Sequence, residues 1–186
     1  MSKIFIRKIT DYNQTINLEN INPVRAKYLN KLNDKSKYIS YLSWLLLKEV
    51  VKEEYNLDID KLTLKSNSYN KPYFDEFYFN ISHSFDLIVV AISNKAIGVD
   101  IEKIRTDLNL KQLAKKIHAE SECAFDVFKR FGQLEAYYKK IGTGLKPSYL
   151  NNKINITSQI LAKDDENNYV LSIDCDDNNI EKIEWR

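Results

Sequence analysis

Leu87-Ile88-Val89-Val90-Ala91-Ile92-Ser93-Asn94-Lys95-Ala96-Ile97-Gly98-Val99-Asp100-Ile101-Glu102 is the stretch on which the fold turns. Two apolar runs of strand length are separated by Asn94-Lys95 alone, and this spacing predicts a tight hairpin between strands over Leu87 to Ser93 and Ala96 to Glu102. Upstream, Lys3 to Ile9 reads as an opening strand and Asp11 to Pro23 as a polar loop. From Val24 the spacing turns helical: Tyr28, Leu29 and Leu32 form one apolar stripe. After Asp34, an expected N-cap, Tyr38, Leu42, Leu45, Leu46 and Val50 form another. Arg25, Lys31, Lys35 and Lys37 are expected near solvent. Ser66 to Pro72 reads as a loop, because the residue before a proline is pushed out of helical geometry.

Downstream, helices are expected over Leu110 to Ile117 and from about Glu122 to Ile141, with Gly142 ending the second in a left-handed cap. Strands over Ile154 to Leu161 and Tyr169 to Ile173 follow, joined by the acidic turn Asp164 to Asn168. This order is that of an α+β fold, not the strand–helix alternation of a doubly wound sheet. It permits two similar α+β halves, 1–95 and 96–186.

The bulk properties exclude several classes. A chain of 186 residues with 44% hydrophobic content carries a real core. With 28 basic and 26 acidic residues, no global field argues for nucleic acid, so any anion site is local. Cys123 and Cys175 lack metal spacing and are too few for a disulfide framework, which predicts free thiols in a reducing compartment. Charge interrupts the apolar run of the first eight residues, and no stretch reaches the length of a membrane span. A cytoplasmic protein is the expectation.

Residues two apart on a strand face one side, so Asp100 and Glu102 are expected to project together from the face that Gly98 leaves open. Paired carboxylates on a rigid strand suit a hard cation such as magnesium. A solvated, salt-bridged face is the plainer reading of that pair alone. Glu135 and Lys139, four apart on a helix, share a face, and taken alone they read as an ordinary surface pair. Gly132, inside the same helix, costs roughly 1 kcal/mol against alanine and hints at close approach by another element. His83, between Ser82 and Ser84 just before a strand, could serve a phosphate or hold a turn. His118 reads as a surface residue.

In combination these motifs are more specific. Phe79-Asn80-Ile81-Ser82-His83-Ser84, then Ile97-Gly98-Val99-Asp100-Ile101-Glu102, then a helix carrying Leu134-Glu135-Ala136-Tyr137-Tyr138-Lys139-Lys140-Ile141-Gly142-Thr143-Gly144-Leu145 resembles the 4'-phosphopantetheinyl transferases of the surfactin-synthetase-activating type. The likeness covers about Arg25 to Leu145. It implies a pseudo-twofold pair of α+β halves with the active site between them. The implied reaction is magnesium-dependent transfer of the phosphopantetheine arm of coenzyme A to a serine of an apo acyl or peptidyl carrier protein, by a monomer that needs neither nucleic acid nor membrane. The resemblance further implies Asp100, Glu102 and Glu135 as magnesium ligands, with Glu135, Lys139 and His83 as catalytic residues. Ser82, His83 and Lys139 would contact the coenzyme's phosphates, and Arg25, Lys37 and Lys71 would lie near its 3'-phosphate and adenine.

The chain also departs from the pattern. The family's helix motif W-[ST]-x-K-E-[AS] is here Phe131-Gly132-Gln133-Leu134-Glu135-Ala136, so Leu134 is expected to remove a cation from beside the metal site. Two alternatives follow: a relative that binds carrier protein or coenzyme A without turnover, and a magnesium-dependent phosphodiesterase.

Overall fold

In a computed structural model describing residues 1–10, 15–19, 21–154, 156–162, 168–176 and 180–186, the chain opens with β1 (Ser2–Lys8), α1 (Pro23–Leu29) and α2 (Asp34–Tyr55). Two-residue strands β2 (Lys65–Ser66) and β3 (Pro72–Tyr73) come next, then β4 (Tyr78–Ser84), β5 (Leu87–Ser93) and β6 (Ile97–Lys103). The chain continues through α3 (Leu110–Ile117), α4 (Ala124–Ile141), β7 (Thr157–Ala162), β8 (Asn168–Cys175) and β9 (Ile180–Trp185). The α+β class expected from the sequence is what forms. Among the described residues no helix is long and apolar enough to cross a membrane.

Local chemistry sets the helix ends. Asn22 caps α1 through Val24 N, ahead of Pro23 at the first helical position. Asn33, not Asp34, caps α2; Asp34 is the first helical residue, where its charge favours the N-terminal dipole. Gly142 ends α4 at φ +89°, its N–H donating to Tyr138 O, as the sequence predicted. Ser66 to Pro72 is the tip of the β2–β3 ladder, held by Asn67 Oδ1 accepting from Tyr69 N and Lys71 N, with Asn70 left-handed.

One sheet runs β4-β5-β1-β9, antiparallel except for the parallel β1–β9 pair. A second, separate from the small β2–β3 ladder, runs β6-β8-β7, antiparallel throughout. β5 and β6 therefore do not form the expected hairpin: residues 94–96 carry the chain from one sheet to the other. The two-residue turn lies one strand earlier, at Phe85-Asp86 between β4 and β5, with Phe85 at φ +52°. His83 accordingly lies within β4, not before a strand. β9 is a strand the sequence reading omitted. The acidic turn expected at Asp164 to Asn168 falls mostly outside the described residues.

The strand runs are apolar because both faces are covered. Ile88, Val90 and Ile92 of β5 pack with Trp44, Leu47 and Val51 of α2, while Leu87, Val89 and Ala91 join Val99 and Ile101 of β6 and Leu171 and Ile173 of β8. The order of layers is α2, first sheet, second sheet, α4. With its odd residues in the inter-sheet core, β6 turns Gly98, Asp100 and Glu102 towards α4.

Candidate active site

α4 reaches β6 only because Gly98 has no side chain: a Cβ there would stand 1.9 Å from Ala136 O and 2.6 Å from Lys140 N. The face expected to be open is thus the one on which the helix backbone lies. Gly132 is the second close approach, its missing Cβ 2.8 Å from Ser172 Oγ and 3.5 Å from Asp100 Oδ2. These two contacts bring Glu135 and Lys139 of α4 over the carboxylates of β6.

Asp100 is only 3% exposed. Its Oδ1 accepts from Ser82 Oγ (2.8 Å) and from Lys139 Nζ (2.5 Å), whereas Oδ2 is buried with no hydrogen-bond partner among the described residues. Burial raises its pKa against the pull of Lys139 and the hydrogen bonds from Lys139 and Ser82. Glu135 is raised by burial first and then by Asp100, with Lys139 opposing. His83 is lowered by partial burial and by the Lys139 ammonium, Asp100 opposing.

Glu102 is pushed up to about 7, by burial first, then by the Asp100 and Glu135 carboxylates, with Lys139 and the hydrogen bond from Ser84 opposing. A folded-state pKa above its ordinary 4.5 means that this residue's contribution to stability is complete below about 4.5 and is lost as pH rises through about 7. Asp100 and Glu135 act with the same sign, and His83 with the opposite one. In metal-free protein, E102Q is expected to gain on the parent by up to about 2 kcal/mol between roughly pH 5 and pH 7.5, allowing for solvent screening. Paired urea titrations at the two pH values check this, and a stability difference that does not change with pH rejects it.

The magnesium that the resemblance implies would meet these residues. The donors are hard carboxylate oxygens, Asp100 Oδ2 lacks a partner among the described residues, and Asp100 raises the pKa of both Glu102 and Glu135, a repulsion that a cation relieves. The donor chemistry fits. Among the described residues, however, no three His, Cys, Asp or Glu side chains are gathered closely enough to hold an ion as they stand, and Lys139 is the cation on Asp100.

Beside the carboxylates lies a cleft of about 250 Å³ lined by Arg25, Tyr28, Lys71, Asn80 and His83, among others. Arg25 is not the solvent residue expected: its guanidinium lies 4.9 Å from the Tyr28 ring centroid and 5.3 Å from that of Trp44, donates to Ser40, and leaves Nε buried without a partner among the described residues. Lys71 lines the cleft too, but its ammonium donates to Ile97 O (3.2 Å) and Lys140 O (2.9 Å), tying the start of β6 to the end of α4. Burial and the nearby Lys140 lower its pKa to about 8. Lys37 does not line the cleft and donates to Asn30 Oδ1. Ser82 is buried, its hydroxyl engaged with Asp100 and Lys139.

Leu134 is fully buried with Ala114, Ile117, Val127 and Tyr138, in the core between α3 and α4. It does not stand beside the carboxylates, so the departure from the family motif fills a core position rather than emptying a charged one. L134K, which restores the family residue, is expected to destabilise by about 3 kcal/mol, because an ammonium would replace packed methyls. Denaturant unfolding measures it; a loss below about 1 kcal/mol would show that the position has a route to water.

Several curated proteins named 4'-phosphopantetheinyl transferase are similar to this chain. The one named gsp, from Aneurinibacillus migulanus, is 30% identical over 129 residues, which is 63% of this chain and 54% of that protein. Sfp of Bacillus subtilis (strain 168) is 31% identical over 81 residues, 42% of this chain and 35% of the relative. A further Bacillus subtilis transferase is 38% identical over 64 residues, 33% and 29% of the two chains. The resemblance drawn from the motifs is therefore borne out, while the chain spans about half the length of the first relative and about a third of the others. No family model matches the chain.

Proposed function

We propose that the chain transfers the 4'-phosphopantetheine group of coenzyme A, with magnesium, to a serine of an apo acyl or peptidyl carrier protein, releasing adenosine 3',5'-bisphosphate. The observation that carries this reading is Asp100: a buried carboxylate with one oxygen unpartnered among the described residues, a lysine on the other oxygen, and Glu102 and Glu135 in electrostatic contact, near a cleft lined by Arg25 and His83. The names of the similar proteins support it.

Asp100, Glu102 and Glu135 would hold the metal, which when bound supplies charge neutralisation at the diphosphate. Arg25 and His83 would seat the adenosine and phosphate end in the cleft. Glu135, whose carboxyl burial raises from its ordinary value, is the candidate base for the serine proton. The serine oxygen bonds to the phosphorus on the pantetheine side, and the bond from that phosphorus to the bridging oxygen breaks. Lys139 donates to the departing bisphosphate. Positioning and charge account for most of the catalysis of such transfers.

The pseudo-twofold reading is part of the proposal. Apart from the β2–β3 ladder inserted in the first half, each half opens with a strand, continues through two helices and closes with two antiparallel strands, and in both sheets the last of the three is central: β4-β5-β1 and β7-β8-β6. β9 extends the first sheet beyond this common pattern.

The test is to incubate the protein with coenzyme A, magnesium and apo carrier proteins and to weigh the carriers by mass spectrometry. A gain of one phosphopantetheine group is expected. Binding without any gain across several carriers would favour the non-catalytic alternative, and cleavage of simple diesters without a carrier would favour the phosphodiesterase.

A further inference from the structure

The edges of the two sheets meet without a backbone ladder. β4 is an edge strand of one sheet and β6 an edge strand of the other. The amides of β6 that point away from β8 are met by side chains of β4: Val99 N donates to Asn80 Oδ1 (2.9 Å), Ile101 N to Ser82 Oγ (3.4 Å) and Lys103 N to Ser84 Oγ (3.1 Å). Both sets advance by two residues, so one face of β4 meets three successive outward amides of β6. A bare edge would leave those donors unsatisfied.

The same hydroxyls hold the carboxylates. Ser82 Oγ donates to Asp100 Oδ1 at 2.8 Å and accepts from Lys139 Nζ at 2.9 Å, and Ser84 Oγ faces Glu102 Oε2 at 3.5 Å. Each hydroxyl thus ties a β6 amide and a β6 carboxylate to one point on β4. A backbone ladder would merge the two sheets into one. A side-chain seam leaves them stacked through their shared core and fixes their relative register where the site lies.

We propose that Asn80, Ser82 and Ser84 are positioning residues, a side-chain seam that sets the two sheets in register and aims Asp100 and Glu102 at α4. The positioning role rests on these carboxylates serving the metal-dependent transfer proposed above. The geometry of the seam does not. Ser84 is the place to test it, being buried, absent from the lining of the Arg25–His83 cleft, and in contact with both the Lys103 amide and Glu102.

The experiment compares S84A, the conservative S84T and, at the other end of the seam, N80A. In protein free of metal and coenzyme, the Lys103 amide of S84A is expected to exchange with solvent about tenfold faster than in the parent, and the Val99 amide of N80A likewise, while the Asp100 and Glu102 amides facing β8 keep their protection. In the presence of coenzyme A and with no carrier, the affinity of S84A for manganese, read by electron paramagnetic resonance, is expected to fall about tenfold, and S84T to recover most of it. Parent-like exchange at Lys103 in S84A and at Val99 in N80A would overturn the seam. Faster exchange with unchanged manganese affinity, or no manganese bound by the parent, would overturn its positioning role. A failure of carrier modification alone would count against the transfer reaction and leave both readouts standing.

Discussion

D100N is expected to lower kcat/KM for carrier modification by about 10³-fold, the scale on which one charge-stabilising group contributes to a transition state. The substitution keeps the shape of the side chain and an oxygen for Ser82, and it removes the charge. Asp100 receives Lys139 on one oxygen, and its second oxygen, without a partner among the described residues, lies against α4 at Gly132, whose missing Cβ would stand 3.5 Å away. Its burial makes the carboxylate costly to keep ionised, so asparagine relieves a desolvation penalty while breaking the pair with Lys139. Lys139 is 27% exposed and turns to water. The two effects oppose, and the melting temperature is expected to move by no more than about 4 °C. Activity and stability are thereby separated. Steady-state kinetics across a magnesium series, with calorimetry on the same samples, make the measurement; turnover within about tenfold of the parent, with the parent's magnesium dependence, removes Asp100 from the metal role.

What the sequence showed and what it hid divide along a physical line. Local signals were legible: the apolar runs of β5 and β6, the span of α3, the end of α4 at Gly142, and the shared face of Asp100 and Glu102 all follow from short-range periodicity and caps. Pairing was not. Asn94-Lys95 looks like a hairpin turn, but Val89 and Ala91 on one side and Val99 and Ile101 on the other gain more by meeting face to face between two sheets than by lying side by side in one. β9 escaped notice because Ile180-Glu181-Lys182-Ile183-Glu184-Trp185 is an edge strand with partly exposed side chains, and its partner β1 lies at the far end of the chain. At the site, the residue types were legible from the motifs, whereas Lys71 bridging two carbonyls, Leu134 facing the α3–α4 core and the seam along β4 depend on how the layers stack. The alternation of Asn80, Ser82 and Ser84 was visible as polar period two, and it was the one signal from which the seam could have been foreseen.

G98A is expected to destabilise the protein by about 3 kcal/mol, the upper end of the ordinary range for overpacking, and to lower the melting temperature by about 10 °C for a chain of this size. The added methyl would lie 1.9 Å from Ala136 O, 2.6 Å from Lys140 N and 3.0 Å from Ala136 C. All three are backbone atoms of α4, so no rotamer gives way, and helix and strand must part. Lys71 Nζ spans the same contact, and its bonds to Ile97 O and Lys140 O would be stretched with it. Glu135 and Lys139 ride on the part of α4 that lifts, so transfer activity is expected to fall well beyond what the loss of folded protein explains. G132A supplies the contrast. Its methyl would meet Ser172 Oγ at 2.8 Å, a side-chain rather than a backbone atom, which can swing aside at the expense of its hydrogen bond with Ser158 Oγ, and the helix regains roughly 1 kcal/mol on replacing glycine by alanine. Its stability is expected to stay within about 1 kcal/mol of the parent. Denaturant unfolding of the two variants side by side decides the matter: equal losses at both positions would mean that the backbone-to-backbone approach at Gly98 does not control how α4 sits on the site.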